Sequence, residues 1–221
     1  TLGLVGASGC GKSTLGRLIV YLDKPTSGQI DYKGESLENL NSKQIQALRT
    51  DVQFIFQDPY AALHPQKRIG KAILEPLQAH KLLPQTEQKN RVIFLLKQVG
   101  LEPFFYERYP HELSGGQRQR VVIARALALE PKILICDESV AALDISVQAQ
   151  VLNLLNDLQE KFNLSYLFIS HDLSVVQFIS DKIMVMDHGM LVENKEADEL
   201  YRNPEQDATK NLIAAIPKIS F

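Results

Sequence analysis

The stretch Thr1-Leu2-Gly3-Leu4-Val5-Gly6-Ala7-Ser8-Gly9-Cys10-Gly11-Lys12-Ser13-Thr14 decides how the rest of the sequence is read. Its first residues form a short apolar run of strand type, and from Lys12 the pattern turns helical. Between them, Gly6 through Ser13 meets G-x-x-x-x-G-K-[ST] at every fixed position. Glycines let successive backbone N–H groups turn inward and form a nest for an anion. A helix starting near Lys12 adds the positive end of its dipole. Lys12 can reach the outer phosphates of a nucleotide, and the Ser13 hydroxyl can ligate Mg²⁺. A glycine-rich turn between a strand and a helix is the plainer alternative. Strand, loop and helix nevertheless all fall where a phosphate cradle needs them.

Outward from this stretch, strand-like runs alternate with helical patterns, which argues for an α/β fold with a parallel sheet. A first helix is predicted over about 12–22, a turn at Pro25-Thr26-Ser27-Gly28, and a short strand over 29–32. A polar helix follows near 42–49, then an apolar run over 52–56. From about 58 to 112 the character changes. Ile73, Leu74 and Leu77, then Val92, Leu95, Leu96 and Val99, recur at helical spacing, and prolines at 59, 65, 76, 84, 103 and 110 break the stretch into short helices. It reads as an inserted helical lobe. The α/β pattern resumes after a helix over 114–129, with a strand over 133–136. An amphipathic helix then carries Val147, Val151, Leu154, Leu155, Leu158 and Phe162 on one stripe. Strands over 166–169 and 183–186 follow, Asp187-His188-Gly189 reads as a hairpin turn, and two short helices part near Pro204. The expected organisation is one domain, with 1–57 and 125–221 as its core and 58–124 as the insertion.

Ile133-Leu134-Ile135-Cys136-Asp137-Glu138 is an apolar strand ending in two carboxylates. Asp137 can hold Mg²⁺ through water, and Glu138 can polarise an attacking water as general base. Paired acids at a strand end are often a solvated turn; a phosphate loop upstream gives this pair its meaning. Leu113-Ser114-Gly115-Gly116-Gln117 carries a second message. Ser114 and Gln117 have the spacing of a capping box. Two glycines in a first helical turn cost up to about 1 kcal/mol each, which a plain cap does not require. Bare N–H groups at a helix start are what a second phosphate site needs.

Here the sequence resembles the ATP-binding-cassette family, whose signature is L-S-G-G-Q, and the resemblance covers essentially the whole chain. It implies a P-loop NTPase with a RecA-like parallel-sheet core and an inserted helical subdomain, hydrolysing ATP with Mg²⁺. Gly6, Ala7, Ser8, Gly9, Cys10, Gly11, Lys12, Ser13 and Thr14 are then expected on the phosphates of ATP. Ser114, Gly115, Gly116 and Gln117 are expected on the γ-phosphate of ATP held by the opposite subunit of a head-to-tail dimer. The resemblance also gives roles to residues that, taken singly, read as structural. Gln57 would meet Mg²⁺ and the attacking water, His171 the γ-phosphate, and Asp144 would lie in the loop crossing the dimer interface. Ser13, Gln57 and Asp137 make the implied Mg²⁺ set, and Glu138, His171 and Gln57 the catalytic one.

Gln57-Asp58-Pro59-Tyr60-Ala61-Ala62-Leu63, Tyr109-Pro110-His111-Glu112-Leu113-Ser114 and Leu167-Phe168-Ile169-Ser170-His171-Asp172-Leu173 narrow the resemblance further. They look like the importer branch for dipeptides, oligopeptides, nickel and metal–metallophore complexes, and like the second of its two ATPases. The implied partners are a different second ATPase subunit, two integral membrane permease subunits and, indirectly, an extracytoplasmic solute-binding protein, at the cytoplasmic face of the membrane. The segment 58–68 would lead to a groove that receives a short helix of the membrane subunit. Ser139 departs from the Pro usual after the catalytic acid, and Ala141 from a common Ser. Asn203-Pro204-Glu205-Gln206-Asp207-Ala208-Thr209 replaces the His-Pro-Tyr-Thr segment of peptide members, and the short tail without cysteine looks more like the nickel and metallophore members. Members also place a small antiparallel sheet, with an aromatic ring for adenine, before the phosphate-loop strand. That subdomain is expected to be missing from this chain, because the strand lies at Leu2.

Composition is ordinary for a globular domain and narrows the alternatives. Among 221 residues, 45% are hydrophobic and 23% charged, and the net charge of −2 gives no basic field for nucleic acid. Two cysteines, Cys10 and Cys136, lack metal-type spacing and point to a reducing compartment. Arg125 interrupts the longest apolar run, so a membrane role would be peripheral. The alternative is a non-transport cassette ATPase. A DNA-repair type would need a long coiled coil between phosphate loop and signature, a translation factor a second copy of the cassette, and a kinase or GTPase would lack the signature.

Overall fold

A computed structural model describes residues 1–81 and 83–216. In chain order the strands and α-helices are β1 (Leu2–Val5), α1 (Lys12–Ile19), β2 (Asp31–Tyr32), β3 (Glu35–Ser36), α2 (Ser42–Asp51), β4 (Val52–Ile55), α3 (Pro59–Ala62), α4 (Ile69–Ala79), α5 (Gln85–Gln98), α6 (Gly115–Leu127), β5 (Ile133–Asp137), α7 (Ile145–Phe162), β6 (Ser165–Ser170), α8 (Leu173–Ile179), β7 (Lys182–Asp187), β8 (Met190–Glu196), α9 (Ala197–Arg202) and α10 (Asp207–Ala214). They form two compact units. The first comprises 1–48, 135–138 and 165–221, and the second 49–134 and 139–164. Among the described residues no helix is long and apolar enough to cross a membrane.

In the first unit the strands run in the order β5-β6-β1-β7-β8. β1 is parallel to both β6 and β7, and β8 returns antiparallel to β7. The inner strands are largely apolar because they are buried on both faces, whereas β8, the end strand, is mostly polar and exposed. Leu4, Val5, Ile135, Phe168, Ile169, Ile183 and Val185 are all 0% exposed. The β7–β8 turn has φ of 44° at His188 and 82° at Gly189, the pair of positive values that matches strand twist. The same signature at Lys33 (52°) and Gly34 (81°) closes a second hairpin, β2–β3, that the sequence reading did not identify.

Two expected boundaries move. The first helix ends at Ile19 rather than near Leu22, because the chain reverses at Tyr21, whose φ is 55°. The strand expected from Gln29 starts at Asp31, where pairing with Ser36 begins.

The second unit is mainly helical. Ile69, Ile73, Val92, Leu95, Leu96 and Ile123, all 0% exposed, join α4, α5 and α6. α7 buries Val151, Leu152, Leu155 and Leu158, so Leu152 joins the stripe and Leu154 sits at its margin. Arg125 bridges two elements, donating to the Ala62 carbonyl at 2.9 Å and pairing with Glu75 at 3.3 Å.

Candidate functional site

In the first unit, β1 delivers the phosphate loop between two neighbours. Val5 pairs with Ser170 of β6 and with Val185 of β7, so Gly6 and His171 leave the sheet side by side, next to Met186 of β7. The chain can pass there only without a side chain at residue 6: a Cβ on Gly6 would stand 2.2 Å from the Met186 carbonyl oxygen. Gly11, at φ 108°, is the N-cap of α1 and supplies no side-chain acceptor, so the first N–H groups of α1 have no side-chain cap. Cys10 is held at both ends, its N–H donating to Ala7 O (3.3 Å) and its carbonyl accepting from Gly189 N–H (3.0 Å).

Lys12 is only 4% exposed. Its ammonium lies within the loop, 2.8 Å from Gly6 O, 3.0 Å from Ala7 O and 3.8 Å from Cys10 Sγ. A buried ammonium bonded mainly to neutral carbonyls is an incomplete charge arrangement, which phosphate oxygens would complete.

The two acids stand at the end of β5. Ser13 Oγ donates to Asp137 Oδ1 at 3.0 Å. Burial pushes the Asp137 carboxyl above its ordinary range; Glu138 adds to this, while the Ser13 bond and Lys12 oppose it. A hydroxyl and one carboxylate, both hard oxygen donors, fit Mg²⁺, which takes few protein ligands and completes its shell with water and phosphate. Glu138 has φ 45°, a left-handed conformation costing about 1 kcal/mol or more for a residue with a Cβ. Its N–H donates to Ile169 O at 2.9 Å, and its Oε1 lies 3.2 Å from His171 Nδ1. His171 is followed by Asp172, whose side chain caps α8 through Ser174 N–H (2.9 Å) and Val175 N–H (3.4 Å). The structure therefore brings together residues 6–14, Asp137, Glu138 and His171.

Gln57, Ser114, Gly115, Gly116, Gln117 and Asp144 belong to the second unit. Ser114 caps α6 in a completed capping box: its N–H donates to Gln117 Oε1 (2.9 Å), and Gln117 N–H donates to Ser114 Oγ (3.3 Å). Gly116 has a packing reason that the sequence could not give. A Cβ there would lie 2.3 Å from Val147 Cγ1 of α7, so a glycine at 116 also serves a plain helix contact. At Gly115 the added atom would find only Leu143 Cδ2, at an ordinary 3.6 Å. Asp144 caps α7 by accepting from Val147 N–H at 3.0 Å. The starts of α6 and α7 are thus packed together.

Arg118 fixes the approach to Ser114. It is 7% exposed, donates to the carbonyls of Pro110 and Leu113, and lies 3.7 Å from the centre of the Tyr60 ring. Neither Arg118 nor the Met186–Gly189 wall of the phosphate loop stood out in the sequence, although the Asp-His-Gly turn was visible.

Comparison with known proteins gives the family. The family model for the ABC transporter matches residues 1–141. The oligopeptide transport ATP-binding protein AppF of Bacillus subtilis (strain 168) is 52% identical over 98% of this chain and 66% of its own length. The glutathione import ATP-binding protein GsiA of Escherichia coli (strain K12) is 52% identical over 98% of this chain and 35% of its own. The chain thus spans less than two thirds of either relative. The structure of CbiO1 from Clostridium perfringens, part of the ABC transporter complex CbiONQ, superposes with a TM-score of 0.82 at 31% identity, over 91% of this chain and 79% of that one. The family model covers more than half of this chain, and the chain belongs to the ABC transporter family.

Proposed function

We propose that this chain is the ATP-binding and ATP-hydrolysing part of an importer, one that takes up small peptides. One observation carries the hydrolytic reading: Glu138 is held in left-handed backbone with its carboxylate 3.2 Å from His171, in the unit that holds the phosphate loop. The oligopeptide and glutathione importers among its relatives support the peptide side of the expected solute range.

In this reading the N–H groups of residues 9–14 and the Lys12 ammonium bind the phosphates of ATP, and Lys12 exchanges its carbonyl partners for phosphate oxygens. Ser13 and Asp137 would hold Mg²⁺, which would supply charge neutralisation at the outer phosphates. Glu138 accepts a proton from the attacking water, and His171 fixes the Glu138 carboxylate and contacts the γ-phosphate. Residues 114–117 and Asp144 act toward a second cassette in a head-to-tail dimer, which the resemblance makes a different chain. Gln57 keeps the role the resemblance gives it, and 1–57 with 125–221 form the core around the 58–124 insertion.

Two permease subunits are the membrane partners, at the cytoplasmic face, with a solute-binding protein acting through them. Their docking element fits the groove of about 490 Å³ lined by Gln66, Lys67, Arg68, Lys71, Glu75 and Tyr109. The test is Glu138→Gln, which keeps shape and His171 contact but removes the base. ATP binding should persist while turnover falls about 100-fold or more. A loss within about threefold, only about 0.65 kcal/mol of barrier, refutes the assignment.

A further inference from the structure

The β7–β8 hairpin meets two different parts of the first unit. At its turn it walls the phosphate loop: Gly189 N–H donates to Cys10 O at 3.0 Å, and Met186 O abuts Gly6. Further along β8, Glu193 holds the C-terminal helix. This carboxylate belongs to a residue only 7% exposed. It accepts from Glu205 N–H (3.0 Å), Gln206 N–H (3.1 Å) and the Thr209 hydroxyl, and lies 3.2 Å from Lys195 Nζ. The N-cap of α10, Gln206, makes no side-chain cap of its own, so a carboxylate from a strand serves that helix end.

Between these two contacts the ladder is irregular. Val185 faces Glu193, whereas Met186 faces Leu191, so Val192 is an extra residue on β8. Such a bulge bends its strand and re-aims the side chains on either side of it. β8 is the last strand of its sheet, and on its outer side no further strand fixes it among the described residues. Where the turn sits therefore depends on how β8 is held beyond its β7 ladder; Glu193 ties it to the start of α10, beside Lys195, which donates to Asn203 O (2.8 Å) and Glu205 Oε1 (2.7 Å).

We propose that Glu193 is a positioning residue for nucleotide binding: through β8 and the Gly189–Cys10 hydrogen bond it couples docking of α10 to the shape of the phosphate loop. The coupling rests on the reading of residues 6–14 as the nucleotide site. It is reciprocal, so nucleotide in the loop tightens α10, and loss of α10 docking weakens nucleotide binding by the same factor.

The experiment measures amide hydrogen exchange and affinity on the full chain with Mg²⁺ and the non-hydrolysable imido analogue of ATP. In the wild type, the analogue should slow exchange in 203–214 by about tenfold. Glu193→Ala should abolish that protection and raise the Kd for the analogue about tenfold. Thr209→Val removes one donor and leaves the carboxylate its backbone partners, so it should give a smaller rise in a chain that folds. Leu37→Ala, which empties a core position 2% exposed in the same unit, should lower Tm and leave Kd unchanged. Protection of 203–214 that ignores the bound analogue overturns the coupling alone, as does a wild-type Kd in both Glu193→Ala and Thr209→Val, or an equal rise in Leu37→Ala. A wild-type chain that binds no analogue overturns the nucleotide reading, and the coupling with it.

Discussion

Gly116→Ala tests what the glycine of the signature helix is for. Gly116 lies within α6, so the backbone accepts alanine, and what opposes it is space. The new Cβ would lie 2.3 Å from Val147 Cγ1, more than 1 Å inside an ordinary contact. Val147 cannot swing aside freely, because a β-branched side chain in a helix has one strongly preferred rotamer. Overpacking of this kind costs about 1–3 kcal/mol. Alanine returns up to about 1 kcal/mol of helix propensity. With the full return, the net loss is up to about 2 kcal/mol, or up to roughly 8 °C in Tm for a chain of this size. Val147→Ala removes the obstructing methyls and should cost about 1 kcal/mol on its own. In the pair Gly116→Ala/Val147→Ala the clash disappears, so a double-mutant cycle by urea denaturation should give a coupling of about 1–3 kcal/mol in favour of the double variant. Additivity within about 0.5 kcal/mol refutes the packing account of Gly116. ATPase activity then separates the two roles of the residue. A double variant that regains stability but not turnover needs the bare glycine for phosphate; one that regains both needs it only to let α6 approach α7.

Cys10, 7% exposed in the phosphate loop, should react with maleimide and lose ATP binding, with ATP protecting the thiol, while Cys136, 0% exposed in β5, stays unlabelled; equal labelling of both with and without ATP refutes this. Glu193 gives a pH dependence. Burial alone would raise its carboxyl, but hydrogen bonds from Thr209, from the N–H groups of Glu205 and Gln206 and from Lys195 outweigh it and hold the pKa at about 2. A depressed folded-state pKa stabilises above the ordinary carboxylate value, and that stability is lost as pH falls from about 4.5 towards 2. Glu193→Gln should therefore be less stable by about 1–3 kcal/mol at pH 7, with the difference shrinking below about pH 4; a difference constant across that range removes the ionised carboxylate as the cause. Charge reversal at Lys67, paired with Glu75 at 2.9 Å, or at Arg68, paired with Glu107, should uncouple transport while sparing basal ATPase activity; equal loss of both would reduce 58–68 to a folding role.

The residues legible in advance were those whose chemistry is local. The phosphate loop is one turn between a strand and the helix after it, so a handful of consecutive residues states both its shape and its charge. Asp137 and Glu138 end an apolar strand, and a strand tip is where a sheet presents polar groups. The Asp187-His188-Gly189 hairpin was visible for the same reason. Lys33-Gly34 offered an equally local turn signal that went unused. Sequence alone thus determined the α/β class and the family, and it carried the local pattern from which residues 6–14 are read as a phosphate site. Tertiary structure decided what depends on partners far along the chain. The Met186 carbonyl excludes a side chain at Gly6 because two parallel strands, distant in sequence, emerge side by side. Val147 does the same to Gly116 because two helix starts meet. Glu193 carried no signal in the sequence; it is buried because α10 folds back and its N-terminal turn and Thr209 donate to the carboxylate. Periodicity reports which face of an element is apolar, but it carries no information about which distant backbone group will arrive on that face.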